Sequence, residues 1–497
     1  MTRLSERLVE ARRHFNLLMR LSKNPISLMG IVLTTVSGIM ILVLMFMGFL
    51  DYLANPYVGI ITFLILPAFF VTGLLLIPIG IWRTKRQRVR LLAAGSAVPE
   101  LQFPIWNFND ARVRRIATFV IVASVVNVLL LSTATYKGIH YMESVAFCGT
   151  VCHVVMKPEY TTHENSPHSR VSCASCHIGP GAPWFVKSKL SGVRQVVAVA
   201  LHTYSTPIET PVRNLRPARD TCEQCHWPEK FHDDRVKVIQ KYKDDEKNTP
   251  ITTALLLKVG GARDGAGNGS GIHWWHMAQV NKVTYIADEK REKIFWVEHQ
   301  NVKGEDTVFE LENSGVSPQE LSKYEKRVMD CVDCHNRPTH IYKLPEEAVD
   351  QAITSHQMDV SLPFIKKEGV ILLKANYPDE TEALRQIESG LKAYYQNQFP
   401  QISQNKQLAI QQAITALQEI YSRNVFPRMK VTWGTYPNHL GHENFPGCFR
   451  CHDDSHKSKT GKTITQDCGA CHDLLAVEEE KPLTAISEVL QGKSPAP

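Results

Sequence analysis

Hydropathy divides the chain before any motif is considered. Three long segments carry no charged side chain: Asn24–Leu50, Tyr52–Trp82 and Ile116–Tyr136. Each holds at least the roughly 20 mostly apolar residues that a helix needs to cross a bilayer. A core helix of a soluble protein rarely runs so long without a charge, so the pattern predicts three transmembrane helices. Beyond Lys137 the pattern changes. Lys282–Asp288 and Lys293–Gln300 alternate apolar and polar residues around the charged turn Glu289–Glu292, which predicts a β-hairpin. Pro345–His356, Glu380–Gln396 and Gln404–Arg423 repeat apolar residues near the helical period. The expected fold is three transmembrane helices joined to a loop-rich, mainly α external domain with a small β-hairpin element. No fixed long period points to a solenoid.

Charge orients these segments. Residues 1–115 hold 14 lysines and arginines against five acids, a net of +9, whereas the remainder nets −2. The basic residues sit in the N-terminal tail and in the loop between the second and third apolar segments. By the positive-inside rule both are cytoplasmic, and the chain after the third segment is outside. The whole-chain charge of +7 is thus a topology signal. No basic stripe interleaved with stacking aromatics marks the external part, which argues against nucleic-acid binding. A cytoplasmic tail (1–23), a membrane region (24–136, with the basic loop 83–115) and an external domain (137–497) follow.

All 12 cysteines of that external domain fall in six pairs, each followed directly by a histidine. Five are C-x-x-C-H: Cys173/Cys176/His177, Cys222/Cys225/His226, Cys331/Cys334/His335, Cys448/Cys451/His452 and Cys468/Cys471/His472. Cys148/Cys152/His153 has one extra spacer residue. C-x-x-C-H is the attachment signature of c-type haem: two thioethers to the porphyrin and one axial histidine. Structural zinc also uses C-x-x-C knuckles but needs no histidine after every pair, and neither does a disulfide framework. Six covalently bound haems are expected, which makes this an electron-transfer protein. The motifs subdivide the external domain. Residues 137–235 hold haems one to three, 236–345 the hairpin and haem four, 346–430 a haem-free helical scaffold, and 431–497 haems five and six.

Low-spin haem takes a second axial ligand, usually His or Met. Of 20 histidines, six lie in the motifs and His14 is cytoplasmic, leaving 13. That supply predicts mostly bis-histidine haems. A histidine a few residues from its own motif cannot easily reach the opposite face of the same haem, so it serves a neighbour. His340, His439, His442 and His456 fall in this class. His273 and His276, at i,i+3, have the spacing to serve two haems from one helix. His163, His168 and His202 complete the candidates, while His140, His232, His299 and His356 read as bystanders. Met156, three residues after His153, is a candidate ligand for haem one, where it would raise the potential.

These residues resemble a known family. Cys148-Gly-Thr-Val-Cys-His-Val-Val-Met156 directly after a membrane segment, then Ser-Pro-His168, then Cys173-Ala-Ser-Cys-His177 with Lys187 and Lys189 beyond it, is similar to the NapC/NirT (NrfH-like) cytochromes. The longer pattern resembles the larger ImcH-like inner-membrane cytochromes. It takes in Cys173–Gln195, Pro207–Pro228, the Cys-His-Asn-Arg-Pro-Thr-His run from Cys334, and Tyr436–His452. The resemblance implies a membrane-anchored quinol dehydrogenase. A methionine after motif one, here Met156, would ligate haem one, and a lysine after motif two, here Lys189 with Lys187 as its neighbour, would line the quinol pocket. The sequence departs from the NrfH-like pattern in the longer first motif, in the absence of a carboxylate over Leu190–Thr203, and in its extra apolar segments and haems.

Elementary chemistry points the same way. Only 11 residues separate Tyr136 from Cys148, so haem one lies near the outer membrane surface. A lysine there can hydrogen-bond a quinol oxygen, or simply snorkel to the headgroups. The expectation is a cytochrome of the bacterial inner membrane, with a cytoplasmic N-terminus and a periplasmic haem domain. It oxidises menaquinol at haem one and passes electrons to periplasmic cytochromes or a reductase, alone or in a complex. The rivals are a non-catalytic relay subunit of a larger membrane complex and a terminal reductase with an open haem.

Overall fold

In the computed structural model the described residues are 22–49, 65–95, 107–151 (without 116, 120, 123–135 and 138–139) and 153–482 (without 180, 213–214, 228–233, 262–269 and 279). They form two compact units, Met1–Ile139 with Pro180–Leu190, and His140–Gly179 with Ser191–Pro497.

The first unit is built on helices α1 (Pro25–Phe49) and α2 (Leu66–Ala93), which pack on each other. Small residues allow the approach: a Cβ on Gly30 would sit 2.7 Å from the Gly73 carbonyl oxygen. The Ser27 hydroxyl donates to the Ile77 carbonyl at 2.9 Å. Close small-residue contact with a cross-helix hydroxyl bond is how helices associate where no hydrophobic effect drives them together. Among the described residues α2 is the one helix long and apolar enough to cross a membrane, and Pro25–Ile41 is a shorter apolar stretch. α2 also runs past Trp82 into the basic segment expected to be loop, because Arg83–Leu92 holds good helix formers and no breaker before Gly95. Most of Ile116–Tyr136, and the first part of Tyr52–Trp82, lie outside the described residues.

The second unit starts at His140, with a helical turn at Phe147–Val151 followed by α3 (His153–Glu164), and includes the end of α4 (Ala182–Ala200). Its β content exceeds one hairpin. Strands β1 (Arg235–Tyr242) and β2 (Pro250–Leu257) pair antiparallel, and β8 (His472–Glu479), which begins at the histidine of the last haem motif, adds to the far edge of β2. β3 (Lys282–Ala287) and β4 (Ile294–Gln300) pair antiparallel from Lys282↔Gln300 to Ala287↔Ile294. They are the centre of a second sheet, completed by β5 (Asp306–Leu311), β6 (Lys326–Val328) and the two-residue β7 (His456–Lys457) in the order β6-β3-β4-β5-β7. Between β2 and β3 lies α5 (Ile272–Met277).

The haem-free scaffold comprises α6 (Pro345–Thr354), α7 (Ile365–Lys374), α8 (Glu380–Gln398) and α9 (Gln407–Asn424). Val349, Leu362, Ile365, Leu373, Ile387, Leu391, Ile414 and Leu417 are fully buried in its core. The first sheet is tied to it by buried polar contacts. Asn248, in the β1–β2 turn, donates to the Val360 and Leu362 carbonyls at 2.9 and 2.8 Å and accepts from Lys366 N. Lys366 pairs with Asp350, whose carboxylate also accepts from Tyr242 N. Both partners of this ion pair are buried. Lys366→Met is therefore expected to cost about 3 kcal/mol, because it leaves Asp350 buried without its counter-charge. The thermal unfolding midpoint of the purified chain checks this.

Candidate haem sites

The described attachment motifs lie on short helical turns or loops. Asp330 caps one such turn: its side chain accepts from Cys331 N at 2.7 Å, and the Asp333 side chain accepts from Asp330 N. Ser172 caps the turn at Cys173 in the same way, accepting from Ser175 N. Consecutive motifs lie close together. The Cys148 and Cys173 thiols hydrogen-bond, which pushes Cys173 up. Cys222 and Cys331 do the same, lowering Cys222 and raising Cys331. Cys334 is pushed up to about 11 by burial and then by Cys448. Burial, followed by Cys448, also raises Cys471. The motifs therefore neighbour one another in sequence order.

Cys225, like Cys176, Cys448 and Cys468, is exposed. The sequence pairs it with Cys222 as an equivalent attachment thiol, but the two have different surroundings. Cys222 is half-buried at the end of the turn Ala218–Cys222 and bonds Cys331, whereas Cys225 is exposed. The physical reason is local. The helical turn stops at Cys222, and Gln224–Trp227 run out along the surface, held by bonds from Cys225 N and His226 N to the Cys222 carbonyl at 3.1 and 2.8 Å. Cys225 still lies near the preceding motif: Cys176 is raised by burial, then by Cys222 and then by Cys225. Its role as a haem-attachment residue thus rests on motif spacing and not on an enclosing site.

The histidines sort into two groups. Five motif histidines each face a histidine from elsewhere in the chain. Ring centroids of His177 and His340 are 6.2 Å apart, and those of His226 and His168 are 6.0 Å apart. His335 and His273 are separated by 6.4 Å, His452 and His276 by 5.9 Å, and His472 and His442 by 6.1 Å. Two metal–imidazole bonds of about 2 Å, plus about 1 Å from each nitrogen to its ring centre, add to about 6 Å. The pairs are therefore spaced as two axial ligands of one iron are. Among the described residues no three His, Cys, Asp or Glu side chains converge as a closed metal site would require.

Hydrogen bonds orient the rings. Nδ1 of His340 bonds the Glu159 carbonyl at 3.0 Å, that of His276 the Ile272 carbonyl at 2.7 Å, and that of His168 the Pro338 carbonyl at 3.1 Å. His452 Nδ1 bonds the Thr465 carbonyl at 2.9 Å. An Nδ1–H given to a carbonyl leaves Nε2 with its lone pair, the arrangement that metal-bound histidines use. Burial lowers His276 and His340 to about 4, so these two rings are neutral at pH 7, and it also lowers His273.

Two short segments bring neighbouring sites together. In the run Cys334–His340, His335 faces His273, His340 faces His177, and the Pro338 carbonyl holds His168 against His226. Asn336 clamps the segment, donating to the Pro437 carbonyl and accepting from His439 N, both at 2.9 Å. The second segment is α5, where His273 and His276 reach two different motifs. Its start is pinned where the backbones of Gly260 (φ +59°) and Gly271 (φ +88°) touch: a Cβ on Gly271 would sit 2.6 Å from Gly260 Cα. Ile272 N and His273 N then bond the Lys258 and Val259 carbonyls.

The other candidates are placed differently. His456 is fully buried, with Nδ1 on Asp453 and Nε2 on the Ile294 carbonyl, so both nitrogens are taken by protein. His163 is buried with Nε2 on the Val171 carbonyl at 2.8 Å. His439 is buried and lowered to about 4 by desolvation, then by Arg450. His202 is exposed, in a left-handed conformation (φ +55°), beside Tyr204. None of these four faces a motif histidine among the described ring contacts. Met156 lies one turn after His153 on α3 and is half-buried; Cys152 and the His153 side chain lie outside the described residues. Lys187 and Lys189 lie on α4, with Nζ 5.0 Å from the Trp184 ring centre and 4.7 Å from that of Phe185.

Comparison with known proteins bears on this arrangement. Residues 111–213 match the N-terminal region of the NapC/NirT cytochrome c family. The cytochrome c-type protein ImcH of Geobacter sulfurreducens is 46% identical over 460 residues, which is 92% of this chain and 89% of that protein. The chain belongs to the NapC/NirT cytochrome c family. As a member of ImcH type it is a c-type cytochrome, with covalently bound haem and a role in electron transfer. No solved structure matches the chain.

Proposed function

We propose that this NapC/NirT-family chain is a membrane-anchored hexahaem cytochrome that oxidises menaquinol near its first motif and delivers electrons to periplasmic redox partners. The observation that carries the reading is the set of five facing histidine pairs at 5.9–6.4 Å, each setting the histidine of a different motif against a histidine from outside that motif. Haem bound at each motif supplies one-electron redox chemistry. The chain's residues hold those sites in sequence order, so electrons entering at Cys148/Cys152 have a continuous path to Cys468/Cys471. Its place at the end of that order makes the last motif the exit.

In this reading, His340, His168, His273, His276 and His442 are the distal ligands of haems two to six in turn, and Met156 ligates haem one. Lys189, with Lys187 nearby, orients the quinol hydroxyl and takes part in its proton release. The membrane region keeps its N-terminus in the cytoplasm and the haem domain in the periplasm.

Haem quantitation should give six per chain. Stopped-flow mixing of the purified protein in nanodiscs with a menaquinol analogue should reduce the haems, and Lys189→Ala should slow that reduction at least tenfold. Reduction by dithionite but not by quinol would move the quinol chemistry to another subunit and leave this chain as a relay.

A further inference from the structure

Helix α4 carries an exposed apolar face. Val186, Leu190, Val193 and Val197 recur at i, i+4, i+7 and i+11, which puts them on one stripe, and Leu201 extends it. Their exposure runs from 36% at Val186 to 70% at Leu190. Isolated apolar residues at a surface are ordinary, but a contiguous row marks a contact surface. At 100° per residue, Lys187 and Arg194 border the stripe on one side and Lys189 on the other. α4 contains no acidic residue. Trp184 and Phe185 lie at its start, each under a lysine ammonium. Val199, on the opposite face, packs against the cluster around Val155 and Phe426. The first half of α4 belongs to the same compact unit as α1 and α2, where the long apolar helices lie.

An apolar stripe edged by cations, with aromatic residues at one end, suits a helix lying in the plane of a bilayer interface. A protein partner is a poorer match, because lysine is depleted in protein interfaces. A row of cations without acids is attracted by anionic headgroups.

We propose that α4 lies in the headgroup region of the membrane, with Val186, Leu190, Val193 and Val197 in the acyl boundary and Arg194 at anionic lipid. This rests on membrane anchoring and not on the quinol chemistry. Since every native cysteine sits in an attachment motif, an added cysteine can be labelled selectively. L190C, V193C, V197C, S191C and Q195C, each nitroxide-labelled in the full chain and reconstituted in liposomes of phosphatidylcholine and phosphatidylglycerol, test the placement. Accessibility to dissolved oxygen relative to a water-soluble nickel chelate should be severalfold higher at 190, 193 and 197 than at 191 and 195. Equal ratios at all five positions would overturn the proposal. Protection from both reagents at 190, 193 and 197 would overturn it too, by revealing a second copy or another protein on the stripe. Release of the whole chain by carbonate washing would instead overturn the anchoring on which it rests.

Discussion

His276→Met is expected to raise the potential of one haem, that at Cys448/Cys451, and to hold electrons there. The His276 ring lies 5.9 Å from His452, and its Nδ1 is committed to the Ile272 carbonyl, which leaves the Nε2 lone pair free of that bond. A thioether in place of that imidazole raises the potential of a c-type haem, and axial ligation spans about 0.8 V overall. Even a rise of about 0.1 V matters, since about 59 mV is tenfold for one electron. It would favour an electron on that haem by about 50-fold over its former balance. Quinol should still reduce the early haems at the native rate, while delivery beyond that haem falls at least tenfold. Spectroelectrochemical titration should show one displaced midpoint. His456→Met is the control: both ring nitrogens are already bonded to protein, so potentials should hold and stability should drop by about 1–3 kcal/mol. If His276→Met leaves every midpoint in place, His276 is not a ligand.

What could be read from the sequence follows from the range of each interaction. Haem attachment is written within six residues, because two thiols and a histidine must meet one porphyrin. Helices α8 and α9 declare themselves through local periodicity. The position of His340, too close to Cys334 to reach around its own haem, indicated a partner elsewhere, and its ring faces His177. Which partner it would be was not legible, since 163 residues separate the two and only the fold brings them together. His456 sits as near its motif as His340 does to its own, yet hydrogen bonds to Asp453 and Ile294 occupy it, and no spacing rule anticipates that. Motif spacing is equally blind to surroundings, so Cys222 and Cys225 read alike although only the first is half-buried against a neighbouring motif. The last strand of the first sheet was missed because its pairing is long-range, whereas β1 and β2 form a local hairpin. β8 pairs with β2 across more than 200 residues, and its exposed Leu474, Leu475 and Val477 break the alternation that would have marked a strand.

Asp333→Ala should have the largest structural effect of any single substitution outside the ligands. Asp333 is the spacer residue of Cys331-Val-Asp-Cys334 and is only 3% exposed. Its carboxylate accepts from Tyr285 Oη at 2.7 Å, from Arg327 Nε at 3.0 Å and from Asp330 N at 2.6 Å, and pairs with Arg291 at 3.5 Å. Its carbonyl accepts from Arg450 at 2.6 Å, and Arg450 also bonds the Arg291 carbonyl. One residue thus links the turn of motif four, strands β3 and β6, and the segment of motif five. Removing the carboxylate strands a buried tyrosine hydroxyl and leaves two half-buried guanidinium groups without their counter-charge. Breaking a buried pair in this way costs about 3–5 kcal/mol, against a total stability of about 5–15 kcal/mol for a typical domain. It also opens the capping box that sets the spacing of the Cys331 and Cys334 thiols before attachment. The expected product is a chain with a lowered unfolding midpoint and five haems instead of six, read by intact mass. Tyr285→Phe, which removes one bond and no charge, should keep full haem content and lose about 1 kcal/mol. An Asp333→Ala chain with six haems and an unchanged midpoint would mean that this carboxylate neither forms the motif-four turn nor supports the sheet beside it.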